Sequence, residues 1–225
     1  MSNDIRTKAI VLRRTNYGES DRILSVITEN GQASILARGV RKEKSKLAGG
    51  IEMFCYSDLT YHEGKNNSLG ILTSAKIAES YQGIITDLSK IELGSRFLQL
   101  TSRISDAVSG PNHLNILKQS LAALNKNYDQ NMIEAWFLLN FAQINGDEIN
   151  LFRDAFGEKL SPVQTYIWNA AENALRPQVG GNIGPNEIKL MRLVLSSDLE
   201  VVSHVQDVTH KWPSILHLAK SVNKL

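Results

Sequence analysis

A single cysteine, Cys55, stands in a chain of 225 residues, so neither an intramolecular disulfide nor a thiolate-rich zinc site can form. Long apolar runs are missing as well. None approaches the roughly 18 residues that a membrane-spanning helix needs, and the polar opening Met1-Ser2-Asn3-Asp4 carries neither a secretion nor a lipidation signal. The expected setting is therefore the cytoplasm, with no membrane partner. Catalytic signatures are equally scarce: no G-x-x-x-x-G-K-[ST], no G-x-G-x-x-G after a strand and no H-E-x-x-H occurs. The five histidines, His62, His113, His204, His210 and His217, never fall four apart. They read as surface or capping residues. Cys55 lies between Phe54 and Tyr56 in an expected strand, where a thiol packs as a small hydrophobe. No catalytic residue, metal or cofactor is expected.

Charge of one sign is also nearly absent in total, at a net +2, but it is unevenly spread. Residues 1–80 hold 12 Lys/Arg against 9 Asp/Glu, and residues 81–225 hold 13 against 14. Within the first part, Arg38, Arg41, Lys42, Lys44 and Lys46 are opposed only by Glu43. Concentrated positive charge is what a polyanion needs, and a merely solubilising surface does not require it.

The first 80 residues read as strands. Ala9-Ile10-Val11-Leu12 is one apolar run. Ile23-Leu24-Ser25-Val26-Ile27-Thr28 forms another and reaches Asn30-Gly31, a hairpin signal. Residues 33–38 follow as the partner strand. Residues 53–61 and 69–75 make a later pair across the turn-rich residues 63–68. Five short strands fit a small closed barrel, because closure removes exposed edges. On the residues alone, OB-like and SH3-like barrels are both open.

After Tyr81 the spacing of apolar residues becomes helical. A long amphipathic helix is expected over 87–108, and a second starts near Pro111 with Leu114, Leu117, Leu121 and Leu124 on one face. A third runs through Met132, Trp136 and Phe141 to Asn145-Gly146, a fourth opens at Pro185, and a last helical segment spans 205–222 around Pro213. Tyr166-Ile167-Trp168 fits a short helix or a strand equally. The fold class is thus α+β: a five-stranded barrel over 1–81 followed by an all-α domain over 82–225.

Two segments carry candidate chemistry. Residues 38–50 leave an expected strand, carry a glycine at each end and hold five cations. Four of those cations lie between the glycines, and Arg38 precedes Gly39. As a flexible loop at a barrel mouth they could track a phosphate backbone, giving affinity without sequence specificity. The competing reading is a solvated loop. Residues 13–22 add Arg13, Arg14, Tyr17 and Arg22. Arg13 and Arg14 alternate along a strand, so they leave it on opposite faces. Tyr17 either stacks on a base or closes the apolar end of the barrel. Asp21 with Arg22 reads as a local turn and ion pair. Lys76 completes the candidate cations.

In order and spacing, residues 7–14, Tyr17-Gly18-Glu19-Ser20-Asp21-Arg22, residues 39–49, Gly70-Ile71-Leu72-Thr73 and Glu79-Ser80-Tyr81 resemble the N-terminal domain of RecO proteins. The resemblance implies an OB-fold followed by a helical domain. It implies a non-enzymatic, nucleoid-associated mediator that binds single- and double-stranded DNA and anneals complementary strands. Its partners would be RecR and the C-terminal tail of single-stranded-DNA-binding protein, with RecA engaged indirectly when it is loaded onto coated single strands. Many RecO proteins carry a four-cysteine zinc motif. This chain departs from that pattern, and residues 176–181 with 184–187 look like a metal-free remnant of it. The reading that competes with a DNA mediator is a protein–protein adaptor. Its barrel, or a helical groove built from Trp136, Phe137 and Phe141, would bind a peptide.

Overall fold

The computed structural model describes residues 4–64, 69–104 and 110–225. Two compact units emerge, Met1–Asn125 and Lys126–Leu225.

In the first unit five strands, β1 (Asp4–Tyr17), β2 (Asp21–Thr28), β3 (Gly31–Ala37), β4 (Cys55–His62) and β5 (Gly70–Ser80), close into a barrel of order β1-β2-β3-β5-β4. Four of the five contacts are antiparallel; the closing one, β3 with β5, is parallel and pairs Ile35 with Gly70 and Leu36 with Ile71. Side chains alternate across a strand, so Ala9, Val11, Leu24, Val26, Ile35, Ala37, Leu59 and Leu72 fill the barrel. Ile10 and Ile27 lie opposite each other on the outer face, yet both are fully buried. Their cover is α2 (Leu88–Ser102) and α3 (Pro111–Asn125), which follow the short α1 (Gln82–Ile85) and pack against β1 and β2. Burial on both sides explains why the centre of β1 is an unbroken apolar run.

The strands extend well past the apolar runs that announce them. β1 continues through Arg13 to Tyr17 because those polar residues pair with β2, after a bulge between Val11 and Arg13. α2 starts where Asp87 accepts hydrogen bonds from the N–H groups of Ser89 and Lys90, a regular N-cap. It ends at Ser102, with Ile104 already outside the helix. The rest of the expected helix, 105–108, and most of the 63–68 turn lie outside the described residues.

The second unit is built around α4 (Gln130–Asn145), apolar on every side and correspondingly buried. Trp136 is 2% exposed and its indole N–H donates to the Ser197 carbonyl at 3.1 Å. Phe137 and Phe141 stack at 5.3 Å in the same core. These three aromatics therefore form core packing rather than a peptide groove. α4 packs against α5 (Pro185–Ser196), α6 (Leu199–Ser203) and α7 (Trp212–Val222). Helix does not extend over 205–208: after one 3-10 turn, α7 begins at Trp212 with Pro213 in its first turn, where a missing N–H costs nothing. The helical region also contains a hairpin, β6 (Tyr166–Asn169) and β7 (Ala174–Pro177), so this part is not purely α-helical. Tyr166 anchors it. Its ring is fully buried, its backbone exchanges hydrogen bonds with Ile183, and its hydroxyl accepts from the Ser161 N–H at 2.7 Å.

One ion pair in this unit gives a pH-dependent expectation. Burial pushes the Glu187 carboxyl up, but the Lys211 ammonium at 2.9 Å and the Gly184 N–H overcome it and hold the group below its ordinary 4.5. A depressed carboxyl stabilises above its unfolded value and loses that contribution as pH falls through the folded value. Glu187→Gln should therefore destabilise the unit by about 1 kcal/mol at neutral pH, the gap to wild type closing as the pH falls below 4.5. All three tryptophans, Trp136, Trp168 and Trp212, lie in this unit. Urea unfolding followed by tryptophan fluorescence at neutral and at acid pH reads the gap.

Candidate nucleic-acid interface

Two connections meet at one end of the barrel: the turn from β1 to β2 and the long segment from β3 to β4. Asp21, the first residue of β2, joins them. Its Oδ1 accepts from the Gly39 N–H at 2.7 Å and from the Ser20 hydroxyl at 3.1 Å. The Ser20 carbonyl accepts from the Arg41 N–H at 2.9 Å, and Arg41 Nη1 donates to the Gly18 carbonyl at 3.2 Å. Gly39 adopts φ +65°, a left-handed conformation that a glycine takes without strain. The Gly39 N–H holds the Asp21 carboxyl below its ordinary 3.8; burial opposes this, while the Ser20 hydroxyl and the charges of Arg38 and Lys42 add to it. At neutral pH the clamp is therefore ionised.

The basic segment is anchored, contrary to the flexible loop expected from its composition. Val40 and Ile51 are buried in the barrel core, and Leu47 and Met53 pack against it. Turns in which Lys42 N–H donates to Gly39 and Ser45 N–H donates to Lys42 carry the chain between these apolar points. Arg38, Arg41, Lys42, Lys44 and Lys46 are all exposed. Among the described residues none of the five is ion-paired with a carboxylate. Lys8, Arg14, Lys118 and Lys126, by contrast, all are. Unpaired cations on a fixed backbone can meet an external polyanion without first breaking an internal pair.

The remaining candidates divide. Tyr17 pairs with Asp21 across the β1–β2 ladder and is 54% exposed, so it does not close the barrel. Its ring is free to stack. Arg22 sits between Asn16 and Ala37, next to Arg38, and its Nε donates to Asn16 Oδ1 at 3.4 Å. Asp21 and Arg22 are not an ion pair: Asp21 Oδ1 accepts from Gly39 and Ser20, and Arg22 Nε donates to Asn16. Arg13 lies opposite Ser25 and Arg14 opposite Leu24, so the two do point to opposite faces. Arg14 is neutralised by Glu52 at 2.7 Å. Arg13 lines a groove of about 540 Å³ with Leu12, Met53 and residues of α2. Lys76 lies mid-strand on β5 opposite Asp58, which holds Lys8 at 2.9 Å. The structure thus gathers Tyr17, Arg22, Arg38, Arg41 and Lys42 around Asp21 and continues into Lys44 and Lys46, while Arg13 lines the α2 groove, Arg14 is neutralised and Lys76 lies mid-strand.

Burial pushes the Cys55 thiol up, away from the thiolate a nucleophile needs. Among the described residues no three His, Cys, Asp or Glu side chains are grouped to hold a metal ion.

A family model described as "Recombination protein O N terminal" matches residues 1–81, which contain the whole barrel. A DNA repair protein RecO from Heliobacterium modesticaldum is 30% identical over 206 residues, covering 86% of this chain and 74% of the relative. The chain belongs to the RecO family. A RecO from Dehalococcoides mccartyi is 28% identical over 229 residues, 98% of this chain and 89% of its own. One from Rubrobacter xylanophilus is 31% identical over 143 residues. Membership makes this RecO chain a DNA repair and recombination protein, and its barrel the family's OB-fold. The five unpaired cations lie within the residues that the family model covers. Among the described residues, no helix is long and apolar enough to cross a membrane.

Proposed function

We propose that this RecO-family protein binds single- and double-stranded DNA at the clamped end of its barrel and anneals complementary strands. With RecR it would help load RecA onto single strands coated by single-stranded-DNA-binding protein. The observation that carries the reading is the run of five exposed, unpaired cations held on an anchored backbone beside an exposed tyrosine. Annealing needs no bond-making. Two strands repel through their phosphates, and a groove that neutralises both at once lowers that repulsion. Residues 1–81 are the DNA-binding module in this scheme. Residues 82–225 form the helical domain, where the tail of the single-stranded-DNA-binding protein would dock. The protein acts without cofactor or catalysis, at the nucleoid.

Salt separates this function from the adaptor reading. Five phosphate contacts on a single strand predict a roughly 100-fold loss of affinity between about 50 and 200 mM salt. Capture of an apolar peptide is far less sensitive. The test is fluorescence-anisotropy binding to a labelled oligonucleotide across that range, followed by annealing of two labelled complementary strands at the low-salt end. Steep salt dependence with accelerated annealing supports the proposal. Binding without acceleration removes the annealing step, and no binding at low salt removes the DNA reading.

A further inference from the structure

We propose that Asp21 is a positioning residue for DNA: its carboxylate holds the basic segment against the β1–β2 turn so that the cations present one surface. The inference rests on the DNA-binding reading above and deepens it. Electrostatically Asp21 is the wrong residue for this place. It puts a negative charge beside Arg38 and Lys42, where a phosphate would have to approach, and charge alone says that its removal should tighten binding.

Geometry says the reverse. The Asp21 carboxylate is the acceptor that ties Gly39, on the far side of the sheet connection, to Ser20 of its own turn. Ser20 in turn receives the Arg41 N–H, and Arg41 reaches back to Gly18. Three residues of one connection are thereby laced to two of the other. The lacing lies immediately N-terminal to Lys42, Lys44 and Lys46, so it sets the direction in which that run leaves the barrel. Val40 and Ile51 fix the segment in the core, but Asp21 fixes its first turn. Without it the cations must be ordered at the moment of binding, an entropic cost that a pre-set loop avoids.

The inference predicts an effect opposite in sign to the one charge predicts. Asp21→Ala should bind a labelled oligonucleotide about tenfold more weakly than wild type at about 0.1 M salt, with a shallower salt dependence. Asp21→Asn keeps an acceptor for the Gly39 N–H while losing the charge, and should bind at least as tightly as wild type. Amide exchange at Gly39 and Arg41 should accelerate in Asp21→Ala and remain slow in Asp21→Asn. Unchanged or tighter binding by Asp21→Ala overturns the positioning role. Should Asp21→Ala fail to fold, Asp21→Glu decides: it keeps the charge but displaces the acceptor from the Gly39 N–H, so binding should weaken, and wild-type binding overturns the role. Failure of the wild type to bind DNA is a different result, because it ends the DNA reading and removes the ligand that Asp21 would serve.

Discussion

Replacing Gly50 with alanine should lower the melting temperature of the first unit by roughly 10–20 °C, as expected for about 3 kcal/mol of overpacking. A Cβ on Gly50 would lie 2.4 Å from the Ala75 carbonyl carbon and 2.5 Å from its oxygen. Those are backbone atoms of β5, held in register by β4, where Leu59 faces Ala75. The β5 side cannot yield without breaking ladder hydrogen bonds, and the Gly50 side cannot yield without shifting the buried Ile51. The adjacent Gly49 provides the control, since a Cβ there meets nothing within 4 Å. Gly49→Ala should melt within about 2 °C of wild type, as surface changes usually do. Calorimetry of the two variants measures the contrast. Because Gly50 and Ile51 form the turn that seats the far end of the basic segment, Gly50→Ala should also loosen the cations and weaken DNA binding. Equal melting of the two variants would mean that the segment is not seated on β5 as described.

The second large effect is on affinity. Lys42→Ala/Lys44→Ala/Lys46→Ala should weaken single-strand binding about 100-fold at 0.1 M salt and reduce the slope of log K against log[salt] by about 2, three contacts at roughly 0.7 each. These three lysines make the cleaner variant because Arg41 has a structural bond to Gly18 as well as a charge. Their side chains are exposed and hold no carboxylate among the described residues, so the fold should be untouched. The loss should be uniform across sequences, because backbone contacts carry no base information. Anisotropy titrations at several salt concentrations separate the possible results. A large loss with an unchanged slope would point to a disturbed structure rather than to lost phosphate contacts.

The barrel was legible because its strands announce themselves through β-branched and apolar runs, and Asn30-Gly31 marks a hairpin that Gly31 closes at φ +107°. What local pattern could not show was the length of β1. Arg13 to Tyr17 are polar, and only their pairing with β2 makes them strand. Pro213 marked an expected helix over 205–222, yet proline belongs in a first turn, so α7 starts beside it rather than running through it. The hairpin at Tyr166 was ambiguous because four apolar and polar residues fit either period, and its partner lies a turn away.

The candidate site was legible as charge and misread as mechanics. Five cations in nine residues identify residues 38–46 whatever the fold. Their anchoring depends on Val40, Leu47 and Ile51, apolar residues at irregular spacing that no periodicity reveals. Arg14 looked equivalent to its neighbours until Glu52, 38 residues away, proved to be its partner. Asp21 was hidden for the same reason: its acceptor role involves an amide 18 residues on, while sequence proximity suggested Arg22.

The most direct test of where DNA binds is amide hydrogen exchange of the full chain with and without a single-stranded oligonucleotide at low salt. The account predicts new protection at residues 17–22 and 38–47, where the Asp21 clamp and the unpaired lysines lie. Protection confined to residues 126–225, with the barrel end unchanged, would contradict it.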